Sequence, residues 1–244
     1  MKNKQRTLPA FVWANFKLQC TDFAIIPLAV TGLWSLMMLV LAAITFFSGD
    51  NEIFGVGIPG LFALIVAVIL AAFTSFSRIW LEFKLGVQMS IPRRRMLAAE
   101  LTLSLVTAAE GLVTAWLLDR VWMVLAQAAA ARHGAAVTHY YEPILAYMPW
   151  WGWLLCWLLP MALGTAAGAV VLRFGAKGGW VLYMVFMALC LTSSWWMERL
   201  EPVFDQVGGL GDLVMAALPA AGFVLAAAAV LAAARLLLRI AVTD

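Results

Sequence analysis

"IPGLFALIVAVILAAFTSFS", residues 58–77, runs for twenty positions without a charge. As a helix it rises about 30 Å, which matches the hydrocarbon core of a bilayer. The stretch reads as a membrane span, and working outward from it gives five more. Apolar runs at 23–47, 97–118, 150–172, 180–196 and 213–238 are each predicted to cross, the fifth run (180–196) being the shortest. Composition points the same way. The chain is 65% apolar and 12% charged, with a mean hydropathy of +0.95, whereas soluble chains are about a quarter charged. The expected fold is an all-α integral membrane protein. Six transmembrane helices form three hairpins in a single domain over 1–244, without a linker, a low-complexity tract or an internal repeat.

The first 22 residues are too long and too polar for the leading part of a signal peptide. The apolar run behind them is longer than a signal core and lacks a small-residue cleavage pattern, so the first span is expected to be retained. Pro9, Trp13, Phe16 and Cys20 recur at helical spacing while Asn15, Lys17 and Gln19 face elsewhere. That predicts an amphipathic helix over 9–22, lying on the cytoplasmic membrane surface.

Orientation follows from the basic residues. If the N-terminus, the segments 78–95 and 173–179 and the C-terminal tail are cytoplasmic, they hold Lys2, Lys4, Arg6, Lys17, Arg78, Lys84, Arg93, Arg94, Arg95, Arg173, Lys177, Arg235 and Arg239. Of the 16 basic residues only Arg120, Arg132 and Arg199 then lie outside. Both termini are expected in the cytoplasm, as an even number of spans also requires. The longer outer loops are then 131–147 and the acidic, glycine-ended 197–212. "PWWGWLLCW", 149–157, reads as an aromatic belt at the start of the fourth span.

Just after the second span comes "RIWLEFKLGVQMSIPRRR", residues 78–95. Ile79, Leu81, Phe83, Leu85, Val87 and Met89 alternate as in a strand, yet Ile79, Trp80, Phe83 and Val87 also share a helical face. A lone strand would leave its backbone groups unsatisfied at a membrane surface, so helix is predicted. Pro92 is expected to break it before the three arginines.

The third span is the most polar. Glu100, Ser104, Thr107, Gly111 and Thr114 follow steps of four and three, one continuous helical face, with Glu110 beside it. Such a stripe should face protein or water rather than lipid. Glu110 lies about 20 Å into the span, where a carboxylate must be neutral, paired or wetted. It reads either as part of a translocation path or as a neutral residue bonded to a neighbouring helix. Glu100 is expected nearer the cytoplasm, where pairing with Arg93–Arg95 would be structural. In the fourth span Gly164 and Gly168 form a GxxxG pattern after Pro160, suited to close helix packing.

Several functions find no residues here. His133 and His139, the only histidines, fall in an outer loop, so no span offers paired haem ligands. There is no HExxH, no intramembrane Ser–His pair, no mid-span lysine and no phosphate-binding loop. Cys20, Cys156 and Cys190 show no metal-ligand spacing. No basic-aromatic tract suggests nucleic acid. Neither a catalytic residue nor a metal site is expected.

The order of parts is similar to that of the ABC-2-type permeases, the membrane subunits of bacterial ATP-binding-cassette exporters. The local likeness lies in "FKLGVQMSIPRRRMLAAEL", residues 83–101, which resembles the family's glycine–hydrophobic–Ser–Arg stretch leading into the third span. Here "VQM" separates Gly86 from Ser90 and Pro92 interrupts the run. The resemblance implies a multi-pass subunit of the bacterial cytoplasmic membrane that is not itself an enzyme. Its coupling helix would lie at 78–95, with Phe83, Gly86, Ser90, Pro92, Arg93, Arg94 and Arg95 docking on a separate ATPase chain. A second contact would come from "RFGAKGG" through Arg173 and Lys177. It further implies a second permease copy or homologue. ATP and Mg would be bound by the ATPase and no cofactor by this chain, and the substrate would be an amphiphilic peptide, lipid or drug-like molecule. The rival expectation is a stand-alone secondary transporter or scaffold without an ATPase.

Overall fold

The computed structural model describes residues 20–48, 58–89, 91–132, 144–206 and 211–239, together with 10, 13 and 14. Among these the regular elements are all helical. They are α1 (Cys20–Ser48), α2 (Ile58–Ser77), a π-helical segment (Arg78–Phe83), α3 (Lys84–Gln88), α4 (Arg93–Arg132), a 3-10 turn (Ile144–Tyr147), α5 (Trp150–Phe174), α6 (Ala176–Gln206) and α7 (Gly211–Arg239). Four stretches are long and apolar enough to cross a membrane: Pro59–Gln88, Arg93–Leu125, Trp150–Phe174 and Pro219–Arg239. The first and fifth expected spans fall on α1 and α6, whose described apolar parts, Ala24–Val40 and Ala176–Thr192, are shorter. The expected interfacial helix 9–22 lies largely outside the described residues.

Three boundaries differ from those read in the sequence. The second helix does not stop at Ser77; it continues through the π segment and α3 to Gln88. No proline occurs between Pro59 and Pro92, and Gly86 is held within the helix against Met96, so 78–88 prolongs the span. The third helix runs 40 residues, about 60 Å, well beyond the predicted 97–118. Residues 119–132 contain neither Gly nor Pro and are rich in alanine, the best helix former. The loop expected at 197–212 is helical as far as Gln206, with α7 starting at Gly211.

A tight turn folds α4 back against α2. Met89 leaves helical geometry at φ −77°, ψ 15°. The Ile91 N–H donates to the Gly86 carbonyl at 3.1 Å, and the Arg95 and Met96 N–H groups donate to the Pro92 carbonyl at 2.9 and 3.1 Å. Proline suits this place because a helix start needs no N–H from it. At the far end Asp119 of α4 packs on Gly60 in the first turn of α2, which fixes the pair as antiparallel. On α5, Gly164 meets the Ala72 carbonyl and Gly168 meets Phe76 and Ile79, so α5 runs parallel to α2. Gly222 of α7 packs on Leu155, while Ala233 and Leu237 join Ala169 further along, so α7 parallels α5. Ile26 of α1 touches Gly111, and Trp34 groups with Leu118 and Trp122, so α1 parallels α4.

These directions gather Lys84, Arg93, Arg94, Arg95, Arg173, Lys177 and Arg239 at one end of the bundle. Gly60, Asp119 and Leu145 mark the other. Burial divides accordingly. Towards the Asp119 end an apolar cluster joins Ile26, Val30, Trp34, Ala63, Leu64, Leu112, Leu118 and Trp122. Towards the basic end a second joins Ile79, Phe83, Met96, Leu97, Ala169, Ala233 and Leu237. Between them lies a buried polar layer.

Candidate functional site

The layer is built where α2, its π extension, α4 and α5 meet. Ser75, Arg78, Glu100, Ser104, Thr107 and Thr165 are all buried there, Glu100 completely so. Most of its hydroxyls close onto their own helices, as is usual where water is scarce. Ser75 donates to the Ala71 carbonyl at 2.7 Å, Thr107 to Leu103 at 3.0 Å and Thr165 to Met161 at 2.7 Å. The exceptions adjoin one another on α4: Ser104 Oγ and both Glu100 carboxyl oxygens make no well-formed hydrogen bond.

The π segment aims charge at Glu100. The Glu82 carboxyl and the Arg78 guanidinium both lie near enough to act on it. The sequence expectation looked to Arg93–Arg95 for Glu100; Arg78 is a further cation whose charge acts on it. A geometric reason is visible in α2. Ala71, Ser75, Ile79 and Phe83 are all buried, at intervals of four. In an α-helix each such step overshoots a full turn by about 40°. The wider winding over Arg78–Phe83 cancels part of that drift, which keeps Ile79 and Phe83 inward. Single π turns of this kind often accompany functional sites.

Of the other polar residues, Thr114 bonds the Glu110 carbonyl at 2.8 Å. Glu110 is half-buried with one carboxyl oxygen enclosed and unbonded, at the margin of the exposed face of Val106, Val113 and Leu117. The structure therefore brings Glu100, Ser104 and Thr107 together with Arg78 and leaves Glu110 apart. Asp119, not singled out in the sequence, is 1% exposed against Gly60 and also keeps an unbonded carboxyl oxygen. The signal that pointed to these missed residues was simple: Arg78 and Glu82 stand four apart directly behind an uncharged run, and Asp119 directly behind another.

At the basic tip the coupling residues divide. Phe83 and Gly86 are buried inside the chain, Gly86 closed over by Met96. Ser90 lies outside the described residues. Pro92 and Arg94 are exposed, Arg93 and Arg95 half-buried, and Arg93 Nη1 reaches the Leu238 carbonyl at 3.5 Å near the end of α7. Trp80, Leu81, Lys84, Leu85, Gln88 and Met89 form the outward face of the same helix. Arg173 and Lys177, both exposed, flank the turn from α5 to α6. That turn depends on Gly175, whose φ of 59° and ψ of −143° are open only to glycine.

Among the described residues no group of three His, Cys, Asp or Glu side chains could hold a metal ion. A cleft of about 170 Å³ between α4 and α5 is lined by Leu112, Val113, Trp116 and Trp153 and has apolar walls only. No family model matches the chain, and neither a curated protein nor a solved structure is significantly similar to it.

Proposed function

We propose that this chain is the membrane subunit of an ATP-binding-cassette exporter, with six spans and both termini in the bacterial cytoplasm. A separate ATPase chain carries ATP and Mg, and a second permease copy completes the unit. The substrate class is an amphiphile. One observation carries the reading: the exposed face at Trp80, Lys84, Leu85 and Gln88, the arginine turn and the Arg173–Lys177 turn stand at one end of the bundle. A partner docking there would touch both turns at once. Because Phe83 and Gly86 point inward, the docking face is assigned to their exposed neighbours and to Arg94. On this reading Arg93–Arg95 also retain the turn in the cytoplasm.

The test is gentle extraction from native membranes. The expected result is a stoichiometric partner with a phosphate-binding loop and ATPase activity, lost when Arg93, Arg94 and Arg95 are all changed to Ala while membrane insertion persists. Normal export by that triple variant would refute the docking role. A second reading, a transporter without an ATPase, is favoured by a different observation: Glu100, Glu110 and Asp119 each place an enclosed, unbonded carboxyl oxygen along one membrane helix. Recovery of a lone, ATP-inactive oligomer would select it.

A further inference from the structure

We propose that the cleft between α4 and α5 is a phospholipid site in the membrane leaflet at the Asp119 end, with one acyl chain lying in the cleft and an anionic headgroup on Arg120. Leu112, Val113 and Trp116 of α4 and Trp153 of α5 enclose about 170 Å³ and offer no polar group. Pockets for drug-sized ligands hold roughly 300–1,000 Å³, so this smaller space suits a length of hydrocarbon chain. With no polar partner in its walls, it does not hold ordered water. Leu112 lies deepest, at 8% exposure, while Val113 and Trp116 stand open at 57% and 42%. The Trp157 indole N–H donates to the Leu105 carbonyl at 2.8 Å, which ties α5 to α4 about two turns further into the bundle.

A chain in that cleft leads its headgroup to Arg120. Helical side chains lean towards the helix N-terminus, and the exposed Arg120 does so, its guanidinium carbon 5.4 Å from the centre of the Trp116 ring. The ring thereby braces the cation beside the cleft that it lines. Height along the bundle agrees. Arg94, exposed at the basic end, and Arg120 are about 40 Å apart along α4, close to the ~40–45 Å that a bilayer spans with its headgroup layers. Trp150, exposed in the first turn of α5, suits the same interface on the neighbouring helix. Arg120 therefore stands where lipid phosphates lie, and a guanidinium fork matches phosphate oxygens in shape and charge. Its neighbour Asp119 is turned inward against Gly60. A zwitterionic head brings a cation of its own to the phosphate, so an anionic lipid is the better match. Such a site needs a chain that crosses a membrane; it needs neither an ATPase partner nor a cytoplasmic basic end, and so stands or falls separately from the export reading.

The test places the full-length chain in phosphatidylcholine nanodiscs with a minor fraction of phosphatidylglycerol that carries a diazirine on one acyl chain. After irradiation, peptide mass spectrometry locates the adducts. They are expected on Leu112, which only a chain inside the cleft can reach, and on Val113, Trp116 and Trp153, in excess over exposed apolar positions elsewhere such as Val224 of α7. In Arg120→Gln the Leu112 adducts should fall roughly tenfold, as expected for loss of a hydrogen bond to a charged group. Arg239→Gln, an exposed cation at the opposite end, should leave them unchanged. The same diazirine on phosphatidylcholine should label Leu112 less. Adducts spread evenly over the exposed apolar residues would overturn the proposal, since that is ordinary annular lipid. So would Leu112 labelling that persists in Arg120→Gln, falls equally in Arg239→Gln or is equal for the two lipids. Absence of Leu112 adducts, with Val113→Cys forming a disulfide to a second copy in a chain whose own cysteines are replaced, would give the cleft to a dimer instead. Arg120 and Arg239 are both exposed, so neither glutamine variant disturbs the packing of the bundle.

Discussion

Gly164 and Gly179 are chemically identical and sit in neighbouring helices, yet a methyl group would meet opposite fates at the two positions. At Gly164 it would run into the backbone carbonyl of Ala72, which cannot rotate away. At Gly179 nothing lies within 4 Å. Gly164→Ala is therefore expected to push α5 off α2 and to cost about 1–3 kcal/mol, the usual range for overpacking. Gly179→Ala should be neutral or stabilising by under ~1 kcal/mol, from helix propensity alone. Denaturant titration of the two variants in mixed micelles compares them, and equal stabilities would remove the close α2–α5 crossing. Spacing alone made Gly164 and Gly168 legible as a packing motif, but it did not reveal which helix they meet. That depends on contacts nearly a hundred residues apart in the chain, which no local pattern encodes.

At the scale of the element, the π segment explains why 78–95 reads ambiguously. Its outward Trp80 and Leu81 are as apolar as its inward Ile79 and Phe83, so hydrophobicity does not mark one face. A strand-like alternation and a helical face then coexist in the letters, and only the packing against α4 and α5 chooses. A π turn is equivalent to one extra residue within an α-helix, so removing one should restore α winding while keeping the flanking faces in register. Deletion of the exposed Leu81 is expected to leave a folded, membrane-inserted chain. A deletion variant that fails to fold or insert would show that the π turn is not a removable one-residue insertion. The polar stripe on α4 was easier to read. Glu100, Ser104, Thr107 and Gly111 recur at steps of four, three and four, and the folded chain buries all four. The charge of Arg78 near Glu100 was not legible, because three consecutive arginines at the start of α4 are the more conspicuous cations.

At the scale of the whole molecule, the helical membrane-spanning character could be read directly, since a run of twenty uncharged residues admits few alternatives. The helix ends could not, because hydropathy marks where lipid stops and not where a helix does; α4 outlasts the expected 97–118 run because 119–132 holds neither Gly nor Pro to end it. What the directions of the helices add is a polarity. The turn at Met89–Pro92, the α5–α6 turn and the end of α7 share one end, and the basic residues concentrate there. Charge of this sign holds loops on the cytoplasmic side during insertion. Single cysteines introduced into a chain with Cys20, Cys156 and Cys190 replaced would test the polarity with a membrane-impermeant maleimide. Met89→Cys and Lys177→Cys, both exposed at the basic end, should react in inside-out vesicles and be protected in intact cells. Ala146→Cys, exposed on the 3-10 turn at the other end, should show the reverse. If Met89→Cys and Lys177→Cys instead react from outside, no cytoplasmic ATPase can reach either turn and the export reading fails.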